Sequence, residues 1–374
     1  MKSREILSKS NNKYEITMYR LNLPDHDELG KPIAYVDQTK SHVFLATGDG
    51  NILSFEKDKI GLNEIEYYPI NTNIGYLIHD EEFYQTYALS IKDILIKDDK
   101  IYFSFGNIKD KCFYFNIFRS DLSLKYLKFK KFFARKECKG TRNFMNYQHI
   151  GGRIVSFKDN KILVTVGDFG DEDIPQDMNS IFGKIISISL TDNIETKDFE
   201  TIAMGTRNAQ GLYYDSTDNV ILNSEHGPTG GDEININKSP DNNVVENYGW
   251  AIASYGVDGG KTYSTNHKEL GFIEPIKYFS PSIGISEIIR VPKRFNIEST
   301  NDFFTAALGF ENEIEEGDQS IHHMRLSEDY SKIIFEDVIP VGERIRDVIY
   351  ISESNAFLLV LETIPALGFL KLKN

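Results

Sequence analysis

A chain of 374 residues, 40% of them hydrophobic, is long enough to bury a large core, as two or three domains or as one large all-β or barrel domain. Its net charge of −14 and pI near 5.1 exclude a general nucleic-acid binder, which needs a cationic surface. Apolar runs are short, Phe357 to Leu361 being typical, which predicts no membrane-spanning segment, and 25 Phe with 20 Tyr favour strands over helices.

The first residues, MKSREILSKSNNKYEI, lack the apolar centre of a secretory signal. Beyond them one unit recurs: an apolar strand, a polar turn, a second apolar strand, then a small or polar residue. Ala34–Val36 leads to His42–Leu45, and Ile94–Ile96 to Ile101–Phe103. Between the second unit and the third lies a basic stretch, Lys125 to Arg142, interleaved with Phe129, Phe132 and Phe133. It reads as a strand with one solvated and one buried face rather than a patch for an anionic partner. Cys112 and Cys138 are the only cysteines; they can form one disulfide but are no disulfide framework or metal site.

The third unit runs from Arg153–Val155 to Ile162–Val164 and the fourth from Leu212–Tyr214 to Val220–Leu222. The fifth joins Ile288–Val291 to Phe303–Ala306, and the sixth Val348–Tyr350 to Phe357–Val360. A β-type repeat of about 55–60 residues suggests propeller blades. The expectation is an all-β, six-bladed propeller of four-stranded blades, one domain over 1–374, with a loop insertion around 232–281. Two sheets packed as a sandwich fit six units less well. Tyr14–Leu21 should pair with Phe369–Lys373 and remove an exposed edge.

Polar blocks abut the ends of these strands, where loops on a rigid scaffold usually carry function. His149 stands in YQHIGGRIVSF, with Asp168 following in TVGDFG. An isolated histidine is usually structural, but a neutral imidazole held by a carboxylate can also take a hydroxyl proton. GTRNAQGL holds Arg207, Asn208 and Gln210; a guanidinium can stabilise developing negative charge, or form a structural ion pair. SEHGPTGGDEIN and NYGW hold Gly227, Pro228, Glu233 and Tyr248, whose oxygens are the hard donors that calcium takes, unless the acids face water at a plain turn. In GERIRDVIYI, Arg344 and Arg346 alternate along a strand and share a face, with Asp347 on the other. Two cations on one face call for an anion between them or flanking acids. His226 and the pair His322-His323 lack transition-metal spacing.

Together these blocks, from about Tyr147 to Thr363, resemble the glucose/sorbosone dehydrogenase family, the soluble aldose sugar dehydrogenases that carry pyrroloquinoline quinone (PQQ) on a six-bladed propeller. The resemblance implies a catalytic set of His149, Asp168 and Arg207, and cofactor contacts from Arg207, Asn208, Arg344 and Arg346. It implies calcium held by the Gly227 and Pro228 carbonyls, with a second, structural calcium at Glu233 and the Tyr248 carbonyl. The implied reaction oxidises the C1 hydroxyl of an aldose to a lactone, with an external electron acceptor; family members are usually exported. The chain departs from the pattern twice. Ala306 to Phe310 lacks the usual lysine, and Leu361-Glu362-Thr363 replaces a Thr-Asp ending. These departures keep two rivals open: a non-catalytic, calcium-stabilised propeller binding module, and a calcium-dependent lactonase-like hydrolase. Neither the sugar nor the oligomeric state is readable.

Overall fold

Every recurring strand pair closes as an antiparallel hairpin of continuous apolar runs, because both faces of each sheet meet a neighbouring sheet. The computed structural model describes residues 1–21, 33–79, 83, 89–140, 149–191, 199–295, 301–309 and 317–373. Six sheets follow one another along the chain as the blades of a β-propeller. Their first strands are Ala34–Gln38, Ile91–Lys97, Gly151–Phe157, Ala209–Asp215, Ile285–Arg290 and Ile345–Ile351. Each packs against the first strand of the next blade, and the sixth returns to the first, so these six strands line the axis.

Blades 4 and 5 have the expected four strands, whereas blades 1, 2, 3 and 6 carry a fifth. In blade 6 the N-terminal strand Lys13–Arg20 pairs with the C-terminal Ala366–Leu372, Tyr14 opposite Leu372, as anticipated, and Lys2–Leu7 adds an outer edge. The stretch 232–281 is not all loop. Asp232–Asn237 and Lys277–Phe279 are the third and fourth strands of blade 4. Their sequence hid them because Glu233, Asn235 and Asn237 put polar groups on a buried face. Between those strands a small hairpin, Val257–Asp258 with Lys261–Thr262, stands off the blades.

Six apolar clusters hold the ring, each at one blade junction among the described residues. The largest joins blades 2 and 3 through Tyr102, Phe115, Ile154 and Val164. In the basic stretch Phe129, Phe132 and Phe133 are buried while Lys130 and Lys131 are exposed, so its lysines are solvated and its phenylalanines buried as expected, although a register shift between Lys131 and Phe133 replaces strict alternation; its last residues, 141 and 142, lie outside the described set. Cys112 and Cys138 form a disulfide, beside the pairing of Cys112–Asp121 with Lys139–Gly140.

Near the axis, polar staples tie blade to blade. Asp93 of blade 2 accepts the Ile154 N–H of blade 3 at 2.8 Å, and Asp347 of blade 6 accepts the Val36 N–H of blade 1 at 2.8 Å. Arg153 sits among them, 3.3 Å from Asp93, 2.9 Å from Glu287 and 2.8 Å from Asp347. Burial pushes Asp93 up to about 8 and Glu287 well above the usual range, Arg153 opposing both shifts. No helix among the described residues is long and apolar enough to cross a membrane.

Candidate active site

Blade 3 opens on the HIGG turn, in which His149 takes a positive φ of 67°. The turn runs so close to the next strand that a Cβ on Gly167 would meet the His149 carbonyl oxygen at 1.8 Å, so only glycine fits at 167. Held there, His149 Nδ1 lies 3.0 Å from Asp168 Oδ1. The same oxygen accepts the Gly170 N–H at 2.8 Å, and Oδ2 accepts the indole N–H of Trp250 at 2.7 Å. Burial disfavours charge on Asp168, but His149, Arg207 and the Gly170 N–H outweigh it and hold the carboxyl below its usual range. An ionised Asp168 therefore accepts a hydrogen bond from the Nδ1–H of His149, which keeps the proton on Nδ1 and leaves Nε2 free to accept one.

Arg207 lies with its guanidinium 5.3 Å from the centre of the Trp250 ring. It donates to the carbonyls of Gly227 at 2.9 Å and His226 at 3.2 Å, and lies 3.9 Å from Asp258 on the small hairpin. Asn208 accepts the Gly151 N–H at 3.1 Å, which ties the Arg-Asn pair to the histidine turn. The Gly227 turn is equally tight: a Cβ there would meet the Gly231 carbonyl oxygen at 1.7 Å. The Pro228 carbonyl accepts the Gly231 N–H at 2.8 Å and the Ser282 hydroxyl at 3.3 Å.

Arg344 and Arg346 reach the same end of the molecule from blade 6, both against Glu362, although Arg344 precedes the strand Ile345–Ile351 and Arg346 sits at a register shift within it, so strand alternation is not what brings them together. Arg346 is buried and grips both oxygens of Glu362, at 2.5 and 3.2 Å, and the Gln210 side-chain oxygen at 2.7 Å. Arg344 lies 3.6 Å from Glu362 and donates to the carbonyls of Leu308 and Gly309, at 3.3 and 2.7 Å. Thus the Ala306–Gly309 segment meets the arginine with carbonyls; Phe310 lies outside the described residues. Asp347, on the opposite face, joins the Arg153 cluster.

His226 reports the field of this pocket. Burial, then Arg346, Arg207, His149 and Arg344, hold it well below its ordinary pKa. A chain with net charge −14 has gathered three arginines around one half-buried imidazole.

A comparison with known families agrees with this geometry: residues 90–364 match the model described as Glucose / Sorbosone dehydrogenase. The chain belongs to the glucose/sorbosone dehydrogenase family. The match begins in blade 2, earlier than the motifs near Tyr147, a residue outside the described set. The chain is 30% identical over 152 residues to the aldose sugar dehydrogenase YliI of Escherichia coli, covering 37% of this chain and 39% of that protein. It is 29% identical over 145 residues to quinoprotein glucose dehydrogenase B of Acinetobacter calcoaceticus, covering 31% and 29%. These alignments span less than half the length of either relative. In fold the likeness is complete. The apo-form crystal structure of the soluble aldose sugar dehydrogenase of Escherichia coli superposes with a TM-score of 0.72 at 18% identity, covering 96% of this chain and all of that one.

In this family member Glu233 and Tyr248 lie in a buried polar pocket with Glu225, whose other oxygen accepts the Arg207 backbone N–H. Glu233 faces Glu225 across adjacent strands. Burial drives Glu225 up to about 8 and Glu233 well above the carboxylate range. Glu225 Oε2, Glu233 Oε1 and the Tyr248 hydroxyl are buried without a hydrogen-bond partner among the described residues. Two facing acids with unused oxygens have the chemistry of a hard-cation site. No group of three or more His, Cys, Asp or Glu side chains suited to a metal occurs among the described residues, so main-chain oxygens would complete either coordination shell.

Two site residues escaped sequence reasoning. Trp250, the sole tryptophan, touches both Asp168 and Arg207; its place after Asn247-Tyr248-Gly249 was visible, but its partners lie far off in sequence. Glu225 gave no spacing signal, because it acts across a strand boundary, and Glu362, a departure from the family's usual ending, gave no sign of its ion pair with Arg346.

Proposed function

We propose that this protein oxidises the C1 hydroxyl of an aldose sugar to a lactone, with PQQ as cofactor and calcium bound beside it. The observation that carries this is the His149–Asp168–Trp250 relay set beside the cationic pocket around His226. The pocket suits a polycarboxylate: among the described residues Arg207 Nε and Arg344 Nε are buried without a hydrogen bond, Arg344 Nε lying 3.6 Å from Glu362, and burial and the surrounding cations favour a neutral His226 ring. Bound PQQ would supply the hydride acceptor.

The chain's own residues do the rest. His149 Nε2 takes the proton of the anomeric hydroxyl, so that C1 can release hydride and close the lactone carbonyl. Asp168 fixes the tautomer and stabilises the imidazolium that forms. Arg207, braced on Trp250, presents positive charge where negative charge develops. Asn208 holds the histidine turn against Arg207 and adds a cofactor contact. Arg344 and Arg346 face the carboxylates of the cofactor. The Gly227 and Pro228 carbonyls, which already accept from Arg207 and the Gly231 N–H, would hold the catalytic calcium through their remaining lone pairs, and Glu233 with the Tyr248 carbonyl would hold a structural one. An external acceptor would complete the cycle.

The grip of Arg346 on Glu362 favours one rival, the non-catalytic propeller, because that arginine already has an anion. The deciding experiment loads purified apo-protein with PQQ and calcium and offers a panel of aldoses with a redox dye. The dehydrogenase reading expects dye reduction that needs both additions. No PQQ binding at micromolar concentration with calcium present overturns it in favour of the non-catalytic module.

A further inference from the structure

The axial strands of blades 2, 4 and 6 share an irregularity. Each has a bulge one residue after its first ladder pair: between Ile91 and Asp93, between Ala209 and Gly211, and between Ile345 and Asp347. The extra residues are Lys92, Gln210 and Arg346. A bulge re-aims the side chain it carries, and equivalent bulges on alternate blades aim theirs at one region of the axis. For two of the three the meeting is direct, since the Gln210 oxygen accepts from Arg346 at 2.7 Å.

Lys92 occupies the third position. Its stem crosses Gly152, where an added Cβ would stand 2.3 Å from Lys92 Cβ, so the second glycine of HIGG makes room for this lysine. The residue is buried, and its Nζ donates to the Ser90 hydroxyl at 3.2 Å. Burial, then the Arg346 charge, push its amine down to about 7, while Glu362 opposes them. Methionine would fill the same volume without the cost of burying an amine beside a guanidinium. Such a cost is recovered when an anion enters.

We propose that Lys92 is the third cation of the carboxylate-binding end of this site, standing with Arg344 and Arg346 against a carboxylate of the bound ligand. The inference rests on the quinone reading above for the identity of that ligand. It also explains why the HIGG turn has a second glycine, since any side chain there would shut out the lysine of the neighbouring blade.

The test is a calorimetric titration of apo wild type, Lys92→Met and Lys92→Gln, in calcium, with PQQ and separately with trimesate, a tricarboxylate that is no quinone. Losing one charge-assisted contact should weaken binding of both ligands by about 10- to 100-fold. The melting temperature of the apo-variants should equal or exceed that of wild type, because a repelled, desolvated amine has gone. Variants that bind both ligands as tightly as wild type, or a wild type that binds neither, would overturn the assignment. So would a lowered apo melting temperature in both variants, which would make Lys92 a structural residue. Wild type that takes trimesate but not PQQ, with both variants weaker for trimesate, would overturn the quinone reading and uphold Lys92.

Discussion

Asp168→Asn isolates what the carboxylate does for His149. The native oxygens serve three neighbours: Oδ1 meets His149 Nδ1 at 3.0 Å and the Gly170 N–H at 2.8 Å, and Oδ2 meets the Trp250 N–H at 2.7 Å. An amide has one acceptor oxygen. Turned toward His149 and Gly170, it sets its NH2 against the indole N–H. Turned toward Trp250, it sets the NH2 against the Gly170 N–H and donates to Nδ1, which moves the imidazole proton to Nε2 and removes the base. Either way one buried donor loses its partner, worth about 1–3 kcal/mol of stability. The orientation that satisfies Trp250 and His149 should cut turnover by about 10²–10⁴-fold. The assay is dye-linked steady-state turnover of PQQ- and calcium-loaded protein, with cofactor affinity measured separately and expected to change little. His149→Gln should cost as much, and the double variant no more than the worse single one, because the two residues act as a unit. Asp168→Asn turning over within about threefold of wild type, or losses that multiply in the double variant, would refute the relay.

Arg153→Met should cost about 3–5 kcal/mol near pH 8, since it strands Asp93, Glu287 and Asp347. The cost should shrink toward pH 5, because acids whose folded pKa is raised stabilise below the unfolded value and lose that contribution as pH rises through the folded one. Urea midpoints at the two pH values check this, and an equal loss at both would contradict it. Glu362→Gln should lower apo stability yet tighten PQQ about tenfold, by removing a carboxylate that competes for Arg346; a weaker titration endpoint would refute the competition. Opening the Cys112–Cys138 bridge, whose cysteines are 26 residues apart, should cost about 3 kcal/mol and lower the melting temperature by about 4 °C, read by reducing the protein before a thermal scan.

The six axial hairpins were legible because burial on both faces leaves dense apolar runs separated by turns, and every pair read from sequence is the first pair of a blade. Outer strands were harder. Ile333–Ile339, half exposed, alternates weakly, and Asp232–Asn237 looked like a loop because its buried face looks into a polar pocket. At the site, the motif-borne residues around His226 were foreseen as a group, and the structure brings His149, Asp168, Arg207, Arg344 and Arg346 together. What remained invisible was pairing across blades. Nothing in the spacing of Glu362 from Arg346 announces a two-pronged ion pair, and nothing near Lys92 points to a residue two blades away.

The joining of Lys13–Arg20 to Ala366–Leu372 sets a rule for how the molecule is made. Lys13–Arg20 is synthesised long before its partner Ala366–Leu372, so the hairpin it makes with Lys2–Leu7 must wait with one edge open until that strand appears. Five blades are built from contiguous stretches and can mature in order, apart from short strands added from the next blade's connections, whereas the sixth demands the most distant contact the chain possesses. Contacts of that kind slow folding, because the entropy of bringing the ends together is spent before any interaction returns it. The rate-limiting event should therefore be the meeting of the termini. A circular permutant that links residue 373 to residue 2 and opens a turn between blades would turn that last, most distant contact into a local one.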